Sequence, residues 1–261
     1  MFRNIPYITK NLLIINALFF AAKYVMGSTG FNLDVFFGAF YPESVNFKSY
    51  QVITHMFMHG DFIHFFFNMF ALFMFGSAVE RALGERKYII LYFVAGLGAF
   101  ILFNFTNYLE INSIRDSIPN QELVNSVNNY AQLHITGGET FYQIQNNLGQ
   151  WLQANNAGNT EAHQELFLGY SIPMVGASGA IFGVLVAFGM MFPNAVLMLI
   201  FPPIPLKAKY FIPIYIIIEL YLAIQAHPGD NVAHYAHLGG ALIGFLLIRY
   251  WKKNSFNRWD S

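Results

Sequence analysis

The sequence predicts an all-α fold, a polytopic membrane bundle of six transmembrane helices, and three observations carry that prediction. Apolar side chains make up 56% of the 261 residues and charged ones only 11%, too little charge for a soluble domain of this size. Six apolar runs, at about 7–25, 62–79, 88–108, 175–192, 210–225 and 232–250, each come near the length that a bilayer core requires. Threading those runs back and forth puts Arg3, Lys10, Arg81, Arg86, Lys87, Lys207, Lys209, Arg249, Lys252, Lys253 and Arg258 on one side and only Lys23, Lys48 and Arg115 on the other. The positive-inside rule then places both termini in the cytoplasm. With no cysteine there is no disulfide, thiol nucleophile or thiolate metal site, and redox compartment cannot be read from the chain.

The first run follows a short basic stretch and ends without the small-residue pattern of a cleavage site, so it reads as a retained span. Residues 27–60 are aromatics and turn formers, apolar enough to lie partly in the lipid interface. In the second run Asp61 reads as an N-cap, and His64 and Asn68 fall one turn apart on the same helix face. Both can donate hydrogen bonds from a buried position, which is what a developing oxyanion needs. His55 and His59 are also four apart and could share a metal. No cysteine or carboxylate stands at ligand spacing beside them, so no metal is expected.

Between the third and fourth spans lies a hydrophilic insertion, residues 109–172, rich in Asn and Gln, with six acidic residues and one arginine. That balance suits the extracytoplasmic side. Phe141, Ile144, Leu148, Trp151 and Leu152 share one helical face within it. Two readings attach to that face: an interfacial or self-packed helix, and a lid or exosite above an active-site mouth.

The fourth span opens with Met174-Val175-Gly176-Ala177-Ser178-Gly179-Ala180-Ile181-Phe182-Gly183 and is stopped by Pro193 and Asn194. A serine between close glycines has two readings. Gly179 and Gly183 make a small-residue packing face, and Gly176 and Gly179 also let a substrate backbone come near the Ser178 hydroxyl. The sixth span offers a partner: His237 lies three and seven residues before Gly240 and Gly244, on the same helical face. Two glycine-faced helices can bring their backbones together, and the serine and histidine then meet at one depth in the outer half of the membrane. Proton transfer between them needs a heavy-atom separation of about 2.6–3.2 Å. In the fifth span Glu219 is a carboxylate well inside an apolar run, where it either pairs with a backbone or hydroxyl donor or orients His237. His234, one turn before His237, reads as a rim residue.

Three of these stretches together resemble the rhomboid family of intramembrane serine proteases. The resemblance rests on His55-x-x-x-His59-x-x-x-x-His64-x-x-x-Asn68, on Gly-Ala-Ser-Gly around Ser178, and on Ala236-His237-x-x-Gly240-x-x-x-Gly244, in the family's order. It implies one rhomboid-like membrane domain over residues 1–261, Ser178 as nucleophile, His237 as general base, and His64 with Asn68 as oxyanion donors beside the Ser178 amide. The departures are modest. Many members have Trp-Arg where this chain has Tyr50-Gln51, and often a tyrosine under the catalytic histidine where it has Phe182. Inactive relatives typically lack the serine or the histidine, and both are present.

The implied activity is an endopeptidase that cuts transmembrane segments of other membrane proteins, with no cofactor, no metal and no nucleic-acid partner. The expected location is the bacterial inner (cell) membrane. Hydrolysis needs water, so His55, His59, His64, Asn68, Ser178 and His237 are expected to line an outer aqueous cavity. Two rival classes make opposite predictions: a non-catalytic binder of transmembrane helices leaves Ser178 unreactive, and a histidine-lined transporter works without it.

Overall fold

The computed structural model describes residues 5–118, 120–132, 141–155, 161–198, 204–225 and 233–254. Its helices are α1 (Tyr7–Gly27), α2 (Leu33–Phe37), α3 (Gln51–Thr54), α4 (Phe62–Ala71), α5 (Ser77–Leu83), α6 (Glu85–Ser117), α7 (Gln121–Tyr130), α8 (Phe141–Ala154), α9 (Glu161–Ser171), α10 (Ser178–Met191), α11 (Ala208–Gln225) and α12 (His234–Asn254). A π-helical turn, Leu72–Gly76, joins α4 to α5. A small antiparallel ribbon of β1 (Val196–Met198) and β2 (Pro205–Lys207) precedes α11.

Four helical stretches are long and apolar enough to cross a membrane among the described residues: Tyr7–Gly27, Phe62–Leu83, Glu85–Ser117 and Ala208–Gln225. Their outward faces are apolar, as lipid requires. Leu18 is 64% exposed, Ile63 67% and Ile217 64%, with Phe66, Phe67, Tyr221 and Ile224 beside them. The two remaining predicted spans look different. α10 is apolar but only 14 residues long, and it is buried over most of its length. α12 has 21 residues but mixes His234, His237, Arg249, Lys252 and Lys253 into them.

The chain divides into two compact units, one of Met1–Ala17, Asp61–Phe103 and Gly176–Ser261, the other of Leu18–Gly60 and Asn104–Val175. In the first unit, small residues decide the packing. A Cβ added to Gly240 would overlap the Gly179 carbonyl, and one on Gly244 would stand 2.7 Å from the Gly183 Cα. α10 and α12 therefore touch backbone to backbone, with their N-termini at the same end. α6 closes the junction from a third side: Ala99 faces Gly179, Ala95 faces Gly183, and the Gly98 carbonyl lies against Gly239. The Ala95-to-Ala99 spacing is itself a small-x-x-x-small signal, which sequence inspection overlooked.

At the other end of the unit, Glu80 is 2% exposed and its carboxylate accepts from the Ile8 amide at 2.8 Å, the Thr9 amide at 2.7 Å and the Thr9 hydroxyl at 2.6 Å. Those amides belong to the first turn of α1, where a helix has no internal acceptors for its N–H groups and where its dipole favours an anion. Glu80 is thus a second buried carboxylate beside Glu219, one residue past the expected end of the second span.

The second unit is built largely by the insertion. α6 runs on to Ser117, and α7, α8 and α9 then pack Val124, Val127, Ile144, Leu148, Leu152, Leu166 and Phe167 into one core with Tyr41, Ile111 and Tyr170. Ile144, Leu148 and Leu152 of the predicted face are buried there, with Trp151 packed at the edge, in keeping with the self-packed reading of α8; the Phe141 side chain lies outside the described residues. The segment before α4 is stitched to the same unit by side chains: the Ser44 hydroxyl donates to the Tyr170 carbonyl at 2.6 Å, Asn46 Nδ2 to the Ala131 carbonyl at 2.7 Å, and Asn128 Nδ2 to the Glu43 carbonyl at 2.8 Å.

Replacing Glu80 by alanine removes the acceptor of three buried donors, and the protein is expected to lose at least about 2 kcal/mol of stability. A thermal unfolding midpoint in detergent equal to that of wild type would contradict this assignment.

Candidate active site

Ser178 is the first residue of α10 and follows Gly176, whose φ of 124° lies in the region that favours glycine. That backbone brings the chain sharply into the helix. A Cβ on Gly176 would stand 2.8 Å from His64 Nε2 and 3.5 Å from Ser178 Oγ. The absent side chain is what lets the His64 imidazole and the serine hydroxyl flank the same backbone atom. Asn68 is buried one turn below His64 on α4, and its Nδ2 donates to the His64 carbonyl at 2.9 Å. An amide nitrogen carries two N–H bonds, so this bond orients Asn68 without using up its donors.

His237, in the first turn of α12, faces α10 because its helix face is the glycine face. Its Nε2 lies 2.9 Å from Ser178 Oγ, and its ring stacks on Phe182 with centroids 4.2 Å apart and planes 7° from parallel. Phe182 is one turn after Ser178, so the residue that floors the imidazole and the residue it faces share a surface of α10. His237 Nδ1 lies 2.9 Å from Glu219 Oε2, and His234 Nδ1 lies 2.6 Å from the same oxygen. Both histidines are 8% exposed and Glu219 4%. Glu219, expected to pair with a backbone or hydroxyl donor or else to orient His237, has both the Tyr215 hydroxyl and His237 as partners, and His234 is buried against the same carboxylate rather than set on a rim.

Glu219, His234 and His237 also hold their ligand atoms within 4.8 Å of one another, the one group among the described residues with metal-ligand spacing. The Nδ1 to Oε2 separations are hydrogen-bond lengths, shorter than the spacing of ligands that each sit about 2.0–2.1 Å from a tetrahedral zinc. Hydrogen bonding accounts for the group as it stands. The pair singled out from sequence, His55 and His59, belongs to the second unit, where both are buried; His55 Nδ1 is 2.9 Å from the Gln51 carbonyl.

A sequence model of the Rhomboid domain matches residues 46–111 and 140–253, well over half of the chain. The chain belongs to the rhomboid family. The Providencia stuartii rhomboid protease AarA is 32% identical over 82 residues, 31% of this chain and 29% of its own length. The Haemophilus influenzae rhomboid protease GlpG is 33% identical over 74 residues, 28% of this chain and 38% of its own. An uncharacterized mitochondrial rhomboid protein of Schizosaccharomyces pombe is 26% identical over 215 residues, 79% of this chain and 52% of its own. The chain thus spans about half or less of the length of these curated relatives. As a rhomboid with four helices of membrane-crossing length and composition, it is an integral, multi-pass membrane protein.

Gln51 and Phe182 are the two departures from the family's pattern near these motifs. Gln51 is fully buried; its Oε1 accepts from the Lys48 amide at 2.9 Å, and its Nε2 lies 3.3 Å from the Phe36 and Asn46 carbonyls. It braces the loop around α2 and α3 without carrying a charge. Phe182 provides the stacking ring and brings no hydroxyl.

Burial holds the His55 imidazole far below its ordinary value of 6.5, at about 4, despite the Gln51 carbonyl that favours its proton. As pH falls below about 6.5 the unfolded chain takes up a proton at this residue that the folded protein refuses until about 4. Stability is therefore full above that window and declines through it, by up to about 1.4 kcal/mol per pH unit from this residue. Unfolding midpoints between pH 7 and pH 5 are expected to fall less steeply for His55→Gln than for wild type, and equal slopes would show that His55 titrates normally.

Proposed function

We propose that this rhomboid is an intramembrane serine endopeptidase that cleaves transmembrane segments of other membrane proteins through Ser178 and His237. The observation that carries the reading is the 2.9 Å approach of His237 Nε2 to Ser178 Oγ, with the imidazole stacked on Phe182. That separation is within proton-transfer range, and the stack restricts the ring to one plane. The names of the relatives, rhomboid proteases among them, support the same reaction class.

In this mechanism neutral His237 takes the Ser178 proton through Nε2 as Oγ adds to the scissile carbonyl. The negative charge of the tetrahedral intermediate meets the Ser178 amide, which as the first N–H of α10 has no intrahelical acceptor. His64, beside Gly176, and Asn68 are the further donors, and removing one such donor costs about 2.7–4 kcal/mol. Collapse of the intermediate releases the amine, which leaves with the proton held on Nε2, and a water molecule then resolves the acyl-enzyme by the same route. A substrate helix hides its carbonyls in its own hydrogen bonds, so the cut segment has to unwind locally.

The architecture that goes with this reading has six spans, with α10 and α12 added to the four long apolar helices. Both termini are cytoplasmic, and residues 109–172 form an extracytoplasmic insertion on a single rhomboid-like domain in the bacterial inner membrane. The lipid bilayer is its medium, and no cofactor, metal or nucleic acid enters the reaction.

Cleavage of a generic transmembrane reporter in reconstituted membranes is the deciding assay. Wild type is expected to cut, Ser178→Ala and His237→Ala to lose at least about 10³-fold in rate, and a fluorophosphonate to label Ser178 in wild type only. Reporter binding without cleavage or labelling would identify a non-catalytic binder instead.

A further inference from the structure

Within α11 and α12, Glu219 Oε2 is shared by two imidazole nitrogens, His237 Nδ1 at 2.9 Å and His234 Nδ1 at 2.6 Å. Three polar side chains so enclosed need partners, and each finds one in another of the three. An ionised carboxylate oxygen only accepts, so both rings meet it as Nδ1–H donors. For His237 that choice has a consequence at the opposite edge of the ring. With the proton on Nδ1, Nε2 presents a lone pair, and Nε2 is the atom that faces Ser178 Oγ at 2.9 Å.

We infer that Ser178, His237, Glu219 and His234 form a four-member chain in which Glu219 is the positioning residue for His237 and His234 anchors Glu219. The inference rests on the reading of Ser178 and His237 as nucleophile and base, and it extends that pair by two residues. Glu219 holds the imidazole in the tautomer that can accept the serine proton. It also balances the imidazolium that forms when the proton has moved, a charge that would otherwise arise uncompensated at a buried site. His234 supplies the second donor to Oε2 and so fixes the carboxylate on the α12 side. Without it the carboxylate keeps the Tyr215 hydroxyl but loses one of the two imidazole donors to Oε2, and its aim at His237 is less restrained. The stack on Phe182 restrains the plane of the ring but not its rotation within that plane, so stacking alone leaves the tautomer and the aim of Nε2 unspecified.

The test measures kcat and KM for reporter cleavage in reconstituted membranes by wild type, Glu219→Gln, Glu219→Asp and His234→Ala. Thermal unfolding and fluorophosphonate labelling rates of Ser178 are followed in parallel. Glu219→Gln is expected to lower kcat by at least about 30-fold while KM stays within about threefold, because an acceptor-donor amide neither selects the tautomer nor compensates the imidazolium. Its Ser178 labelling rate falls with kcat, and Glu219→Asp recovers part of both because the charge returns. His234→Ala is expected to lower kcat by about threefold or more with KM unchanged. A kcat within twofold of wild type in folded Glu219→Gln overturns the inference, as does a loss that Glu219→Asp does not relieve. Should Glu219→Gln not fold, His234→Ala decides: a reduced kcat supports the chain and a wild-type kcat overturns it. Ser178→Ala and His237→Ala in the same assay keep the two proposals apart, since continued cleavage by either removes the underlying reading, whereas their inactivity beside an active Glu219→Gln removes only this one.

Discussion

The approach of α10 to α12 at Gly179, Gly183, Gly240 and Gly244 is the constraint from which the rest of the first unit follows. In lipid two apolar helices gain nothing by merely hiding from solvent, so association depends on how closely their backbones pack. Here the Gly179 carbonyl occupies the space where a side chain on Gly240 would be, and a Cβ on Gly183 would stand 2.9 Å from the Gly240 carbonyl. The two helices start at the same end, and this register leaves Ser178, the first residue of α10, facing His237 in the first turn of α12. Ala95 and Ala99 of α6 fix the pair from behind, where larger side chains would push α10 away.

Polar groups placed in such a site have to satisfy one another. Ser178 meets His237, His237 meets Glu219, and Glu219 meets His234, so four groups that would each be costly alone share one chain of hydrogen bonds. Phe182 adds no hydrogen bond and instead restricts the His237 ring to a plane. Glu80 solves a related problem differently: its carboxylate is held by the amides that open α1, where a helix start offers unpaired N–H groups. Two buried carboxylates in one unit thus have distinct work, one terminating a helix and one serving the imidazoles.

The second unit follows soluble-protein rules. Its core of Val124, Val127, Ile144, Leu148, Leu152, Leu166 and Phe167 is assembled by amphipathic helices whose outward faces are Asn, Gln and Glu. Backbone carbonyls of Glu43, Ala131 and Tyr170 are taken up by Asn128, Asn46 and Ser44, which ties the loop before α3 to the insertion. Gln51 at the start of α3 and His55 just after its end are buried, uncharged hydrogen-bonding groups, and the low proton affinity of His55 is the electrostatic sign of that burial.

The helical, membrane-embedded class of this protein follows from its sequence, because a backbone that spans lipid has to be a helix or a closed barrel, and continuous apolar runs of about twenty residues suit the helix. The pairing of Ser178 with His237 was legible as well, since each is tied by helical periodicity to a glycine face that lets another backbone come close. The amphipathic face of α8 was legible for the same reason, as a period of 3.6. What periodicity cannot express is which side chains from separate helices share an atom. That Glu219 takes both His234 and His237, that Glu80 opens α1, and that Ala95 and Ala99 back the glycines of α10 depend on the register and rotation of helices far apart in the chain. Those are set by tertiary packing, where a shift of one residue turns a side chain by about 100° around its helix and changes its partner.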